Sequence, residues 1–171
     1  RNVKMLGLNA GVTYGPLGAT HHAIADVSVT RGFGSVQIFA PCDLPEARQV
    51  VEYAASVDGP FYIRMDSAAL PIVHDAAYAF KPGEPDLLRK GKDVAVVALG
   101  SVVGEALSAC EELAKEGPNP SPVNLSSLLP PNERAYQDLP NSPPPGRTSG
   151  PPLRPARTAP PPDVLPSGDR R

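Results

Sequence analysis

Hydrophobic and polar positions switch between two periods along most of this chain. Val3 to Leu8 is a short apolar run ending in Asn9-Ala10-Gly11, the pattern of a buried parallel strand. A turn at Tyr14–Thr20 follows, with Thr20 placed as a helix N-cap, and then a helix from His22 to Arg31 with Ile24, Val27 and Arg31 on related faces. Gly32-Phe33-Gly34 stops it, and Ser35 to Ala40 reads as the next strand. Asp43 then caps a helix running to about Ser56, with Pro45 in the first turn, Glu46 completing an acidic capping box, and Val50, Val51 and Ala54 as its apolar stripe. After the turn Asp58-Gly59-Pro60, Phe61 to Met65 gives a third strand. Strands alternating with helices at such short intervals predict an α/β fold built on a parallel sheet with right-handed crossovers.

A connector punctuated by Pro71, Pro82, Gly83 and Pro85 separates this unit from a second one. The second opens with Asp93–Leu99, a nearly continuous apolar strand, and turns at Gly100-Ser101. A helix follows, with Val103, Leu107, Cys110 and Leu113 at helical spacing, and ends at Gly117. Val123–Leu128 is expected as one more strand. No internal repeat is present.

Composition changes abruptly after Gly117. Of the 23 prolines, 16 fall in 118–171, together with six arginines, no lysine and one aromatic residue, Tyr136. Such a segment cannot bury enough apolar surface to offset its ordering entropy, so residues from about 134 onward are expected to be disordered. Either this is a genuine extension or the coding frame shifts near Glu133, which the other two reading frames of the DNA would decide. The chain has 171 residues and a net charge of −2, without the basic footprint of a nucleic-acid binder. No apolar run approaches the roughly 18 residues that span a membrane. The first residues lack a signal-peptide core, and the start without methionine, almost inside a strand, suggests a fragment. Cys42 and Cys110, far apart and without metal-ligand neighbours in sequence, predict reduced thiols in a cytoplasmic protein.

The candidate chemistry gathers at Gly15-Pro16-Leu17-Gly18-Ala19-Thr20-His21-His22. A turn leaving a strand of an α/β unit is where such folds place ligand groups. Neutral imidazoles there can hydrogen-bond a substrate or relay a proton near pH 7, although two histidines can equally just open a helix in solvent. Asp43 and Glu46 are explained by capping, and the Gly100-Ser101 turn by simple strand-to-helix geometry rather than anion binding. His21, His22 and His74 have no Cys or carboxylate partners in a recognisable ligand spacing, so no metal site is expected.

Gly18-Ala19-Thr20-His21-His22, then Asp26 and Arg31, then Pro41-Cys42-Asp43, resembles the transketolase family in its pyrimidine-binding domain. The likeness runs from about residue 2 to about 117 and fades by about 133; the strand, Gly-Ser turn and helix of 93–117 look like the opening of that family's C-terminal domain. The resemblance implies an incomplete three-layer thiamine-diphosphate-binding fold. It divides the chain into a partial pyrimidine-binding domain (1–80), a linker (81–92), a partial C-terminal domain (93–133) and the Pro/Arg-rich tail (134–171). Sheet edges left open by the incomplete domain would hinder folding alone.

By the same resemblance, the activity is thiamine-diphosphate-dependent transfer of a two-carbon ketol unit between sugar or sugar-phosphate substrates. His21 would be the catalytic and substrate-binding residue, with His22 and Arg64 also binding substrate. The glutamate that activates the cofactor and the aromatic residue that stacks on it lie upstream of the matching region, so the cofactor-binding residues of this chain are unknown. The fragment alone should be inactive. A diphosphate-binding subunit or second protomer is implied as partner, and it would also hold the Mg²⁺ or Ca²⁺ ion, within an oligomer. Two positions depart from the family. Leu17 stands where sugar-phosphate members often have aspartate, and Ser67 where many place a phosphate-binding arginine, so a substrate other than the usual pentose phosphates is expected. The alternatives are a truncated non-catalytic remnant and a 2-oxo acid dehydrogenase β-like subunit, whose turn usually reads Gly-Gly-x-His-Ser.

Overall fold

The computed structural model describes residues 1–139 and arranges them as two sheets flanked by helices. The first sheet contains β1 (Lys4–Gly7), β2 (Gln37–Phe39) and β3 (Phe61–Arg64), joined by α1 (Asp26–Arg31) and α2 (Leu44–Ser56). Its order is β1-β3-β2, all parallel, with β7 (Ser127–Leu129) added antiparallel beside β2. The second sheet holds β4 (Asp86–Leu87), β5 (Val94–Ala98) and β6 (Pro120–Asn124) in the order β4-β6-β5, with α3 (Val103–Glu116) packed against it.

Alternation along β3 explains the core. Phe61 and Ile63 are buried and join Phe39, Val50 and Ala54, with Tyr53 and Phe80 packed around them. Phe39 stacks on Phe61 at 5.9 Å between centroids, and Tyr53 and Phe80 meet Phe39 edge-on, the arrangement aromatic quadrupoles favour. Tyr62 and Arg64, the alternate residues, are only partly buried and face the opposite side of the sheet, where α1 lies.

Several expectations change. Thr20 caps no helix: residues 19–21 form a single 3₁₀ turn whose N-cap is Gly18, and α1 starts only at Asp26. The intervening residues are drawn into an isolated bridge between Ala23 and Gly11, which competes with helix formation. The predicted strand 123–128 is two strands serving different sheets. β6 pairs with β5, and after Leu125-Ser126 the chain crosses to β2, where Ala40 N donates to Ser126 O at 2.7 Å. Asp86–Leu87, inside the segment expected as a linker, pairs with β6. Disorder does not begin at 134. Asn132 accepts a hydrogen bond from Ala135 N and caps α4 (Glu133–Gln137), while Tyr136 donates its hydroxyl to Ser127 O at 3.1 Å. The rest of the expected disordered tail, 140–171, lies outside the described residues.

Among the described residues no helix is long and apolar enough to cross a membrane. Both cysteines are buried and free.

Candidate functional site

The histidine turn leaves the C-terminal end of β1 through two 3₁₀ turns, Gly15–Leu17 and Ala19–His21. Gly18, at φ 79°, lets the second start immediately after the first, a conformation that disfavours a side chain. His21 is exposed. Its Nδ1 lies 3.0 Å from Thr20 Oγ1, and its ring meets Tyr14 edge-on at 6.3 Å. His22 is partly buried, with Nε2 shielded from water and unpartnered. Leu17 is exposed and apolar beside them.

Arg64 comes to the same place from β3. Its Nη2 donates to Ala23 O, next to His22, at 3.2 Å, and its Nε donates to Asp26 Oδ2 at 2.8 Å. Arg64 also walls a cleft of about 380 Å³ between residues 10–13 and the Ser101–Val102 turn that opens the helical segment of the second half. On the cleft's rim Thr13 donates to Asp66 Oδ2 at 3.0 Å. Burial alone would raise the Asp66 carboxyl, but hydrogen bonds from Ala68 N, Thr13, Ser67 N and Ser101 hold it below the usual range. Ser67 donates to Asn9, whose backbone is in the left-handed region at φ 59°. This rim offers hydroxyl, amide and carboxylate groups, with Arg64 as its cation, and that cation is already paired.

A second polar cluster lies at the seam between the sheets, built around a histidine that sequence spacing does not mark. His74 Nδ1 is 3.0 Å from Asp43 Oδ2, and His74 Nε2 is 2.9 Å from Asp86 Oδ2. Each carboxylate only accepts, so both ring nitrogens carry protons. Burial would lower His74, yet the hydrogen bonds to Asp86 and Asp43 and the charges of Asp43 and Glu46 raise it to about 9. Burial also works against Asp43, whose carboxyl nonetheless falls below the ordinary value because Glu46 N, His74 N and Val73 N donate to it. Glu46, fully buried, accepts from Cys42 N at 2.8 Å, Tyr78 Oη at 2.9 Å and Asn124 Nδ2 at 3.0 Å. The capping box is thus half formed as expected: Asp43 takes Glu46 N, while Glu46 returns to Cys42 N rather than to the cap itself.

Cys42, Asp43, Glu46 and His74 each present a donor atom within 4.8 Å of the others. The types would suit a divalent ion, but Asp43 and Glu46 are spent on hydrogen bonds, and burial with the neighbouring Glu46 and Asp43 charges pushes the Cys42 thiol well above its ordinary value. In this structure the four side chains hydrogen-bond to one another and to neighbouring groups, as a polar seam between the sheets. The same accounting applies to a cofactor beside His21. The nearby carboxylates are Asp26, engaged by Tyr62 and Arg64, and Asp66, engaged by Thr13 and Ala68 N. These residues alone do not fit a cofactor ring that needs an activating acid.

Two family models match the chain. The family described as transketolase, pyrimidine binding domain, matches residues 1–72, and that described as transketolase, C-terminal domain, matches 83–139. A subunit of an apulose-4-phosphate transketolase from Actinobacillus succinogenes is 50% identical over 129 residues, which are 75% of this chain and 42% of that protein. A 6-deoxy-6-sulfo-D-fructose transketolase subunit from Clostridium sp. is 35% identical over 134 residues, 78% of this chain and 42% of its own length. Among solved structures, a split gene transketolase described as an inactive beta4 tetramer superposes with a TM-score of 0.66 at 37% identity, over 73% of this chain and 40% of that one. The chain therefore spans less than half the length of the relatives it matches.

Proposed function

The chain belongs to the transketolase family, and from that premise we propose that it is the substrate-side share of a two-chain transferase moving a two-carbon ketol unit between sugar substrates. The observation that carries this reading is the exposed His21 ring, presented with His22 on a turn at the C-terminal end of a parallel strand. His21 hydrogen-bonds substrate hydroxyls and passes a proton, His22 lies beside it, and Arg64 belongs to the same side of the site. Thiamine diphosphate, when bound, supplies the carbanion chemistry. It would be held with its Mg²⁺ or Ca²⁺ ion by a diphosphate-binding chain and by residues other than those described here. The rim of Asn9, Thr13, Asp66 and Ser67, whose cation Arg64 is already paired with Asp26, with Leu17 exposed nearby, favours a sugar whose end over this rim carries hydroxyls rather than phosphate.

A second reading has its own support. Asp26 and Asp66 are engaged by other residues of the chain rather than free to activate a cofactor, which favours a truncated non-catalytic remnant. Co-expression with the diphosphate-binding subunit of a split transketolase separates the two. Ketol transfer that appears only with both chains, and that falls about 100-fold in His21→Ala, supports the transferase. Binding to that subunit without turnover supports the remnant.

A further inference from the structure

Tyr62 and Arg64 leave β3 on the same face and converge on one atom. Asp26 Oδ2 accepts from Tyr62 Oη at 2.7 Å and from Arg64 Nε at 2.8 Å. The Arg64 and Asp26 side chains are only 15% and 16% exposed, so the ion pair is largely desolvated. Burial, with the Asp26 hydrogen bond and charge, pushes the Tyr62 hydroxyl up to about 12, which keeps it a donor. Arg64 then uses Nη2 on Ala23 O. Ala23 is itself tied at both backbone groups to Gly11, its N donating to Gly11 O at 2.8 Å and its O accepting from Gly11 N at 3.2 Å.

These bonds close the excursion 11–23 at its two ends and clamp it onto the sheet. His21 and His22 lie inside that excursion, on a segment with no buried residue in either of its 3₁₀ turns. Its own packing therefore holds it weakly, and the clamp supplies the order that the apolar core does not. β1 is shaped to allow it: a Cβ on Gly7 would collide with the Tyr62 hydroxyl. Two of the five guanidinium N–H donors of Arg64, one on Nε and one on Nη2, are thus committed to Asp26 and to Ala23 O.

We propose that Asp26, Arg64 and Tyr62 are positioning residues that hold the His21–His22 turn in its substrate-facing geometry, with Arg64 acting through the turn rather than by contact with the substrate. The substrate-facing half of this statement rests on the function proposed above; the clamp does not.

Hydrogen exchange on the unliganded full chain tests the clamp without any turnover. Asp26→Asn and Arg64→Lys should speed amide exchange across 11–26 about tenfold while leaving β2 and α2 unchanged. The ring NMR signals of His21 and His22 should move with no ligand present. Tyr62→Phe, which keeps the ring and loses one bond, should give a smaller change of the same kind, and it serves if the charged variants unfold. Exchange across 11–26 that stays at the wild-type rate in all three variants overturns the clamp. With the diphosphate-binding subunit and unphosphorylated D-fructose as probe, the clamp variants should lower kcat more than they raise KM. Arg64→Lys that raises KM alone, with an undisturbed free chain, means direct substrate contact and overturns the proposal. A loosened turn in a chain whose wild type binds its partner yet turns over no sugar upholds the clamp and refutes the functional reading instead.

Discussion

The seam around His74 and the turn around His21 treat histidine in opposite ways. At the seam both nitrogens of a buried ring are taken by carboxylates from two different elements, and Glu46 beside it takes three donors. At the turn an exposed ring has one neighbouring hydroxyl, and the next histidine keeps a shielded nitrogen without a partner. A group whose hydrogen-bonding capacity is spent on the fold has nothing left for a ligand. The contrast separates a polar cluster that joins two halves of a chain from one that is free to meet another molecule, although by residue type alone the seam looks the more reactive.

The largest effect should come from removing the seam's central acceptor. Glu46→Ala leaves Tyr78 Oη, the Asn124 amide and Cys42 N buried without their acceptor, and should cost about 3–5 kcal/mol in urea unfolding. Loss below about 1 kcal/mol would mean that water fills the seam. Next comes His74→Gln, which removes the cation between Asp43 and Asp86; a cost on the order of 3 kcal/mol near pH 7 is expected.

The same ring gives a pH signature. Its folded value, about 9, is above the ordinary 6.5, so its contribution is complete below about pH 6.5 and is lost as pH rises through 9. Asp43 has the opposite sign: its lowered carboxyl contributes above its ordinary 3.8, and that contribution is lost as pH falls through the folded value. Stability should therefore be highest between these limits, and His74→Gln should remove the alkaline fall while keeping the acid one. Smallest of all for the fold is His21→Ala, expected to change unfolding free energy by less than about 0.5 kcal/mol, since the side chain is exposed. A larger change would place His21 among the structural residues and erase the contrast.

Periodicity along the chain makes the strand and helix alternation legible, as well as the Asp43 cap and the buried Val50 and Ala54 of α2, although Val51 of the same expected stripe is exposed. The illegible elements exist only through pairing with distant residues. Asp86–Leu87 has too few residues to show a period and is a strand because β6 lies beside it. Pro120 and Pro122 argue against a central strand, yet Leu125 N donates to Ala98 O, which sets odd-numbered amides toward β5 and keeps the proline nitrogens off that ladder. The seam is hidden for a similar reason. His74, Asp86 and Asn124 meet Asp43 and Glu46 only after the connector folds back, so no ligand-like spacing marks them. Capping accounts for Asp43 and Glu46 in sequence, but one cap cannot reveal what else its carboxylates accept. At the turn, the family resemblance offers His21, His22 and Arg64 as substrate-binding residues, whereas the partners of Arg64 emerge only in the folded chain.

The chain has three histidines, so an imidazole ¹⁵N NMR titration of the full chain reads both regions at once. His74 should keep two ring N–H protons up to about pH 9, and only His21 and His22 should respond when an unphosphorylated ketose is added beside the diphosphate-binding subunit. A His74 that loses a proton near its ordinary value, or that responds to the sugar while His21 stays silent, would contradict the division between seam and turn.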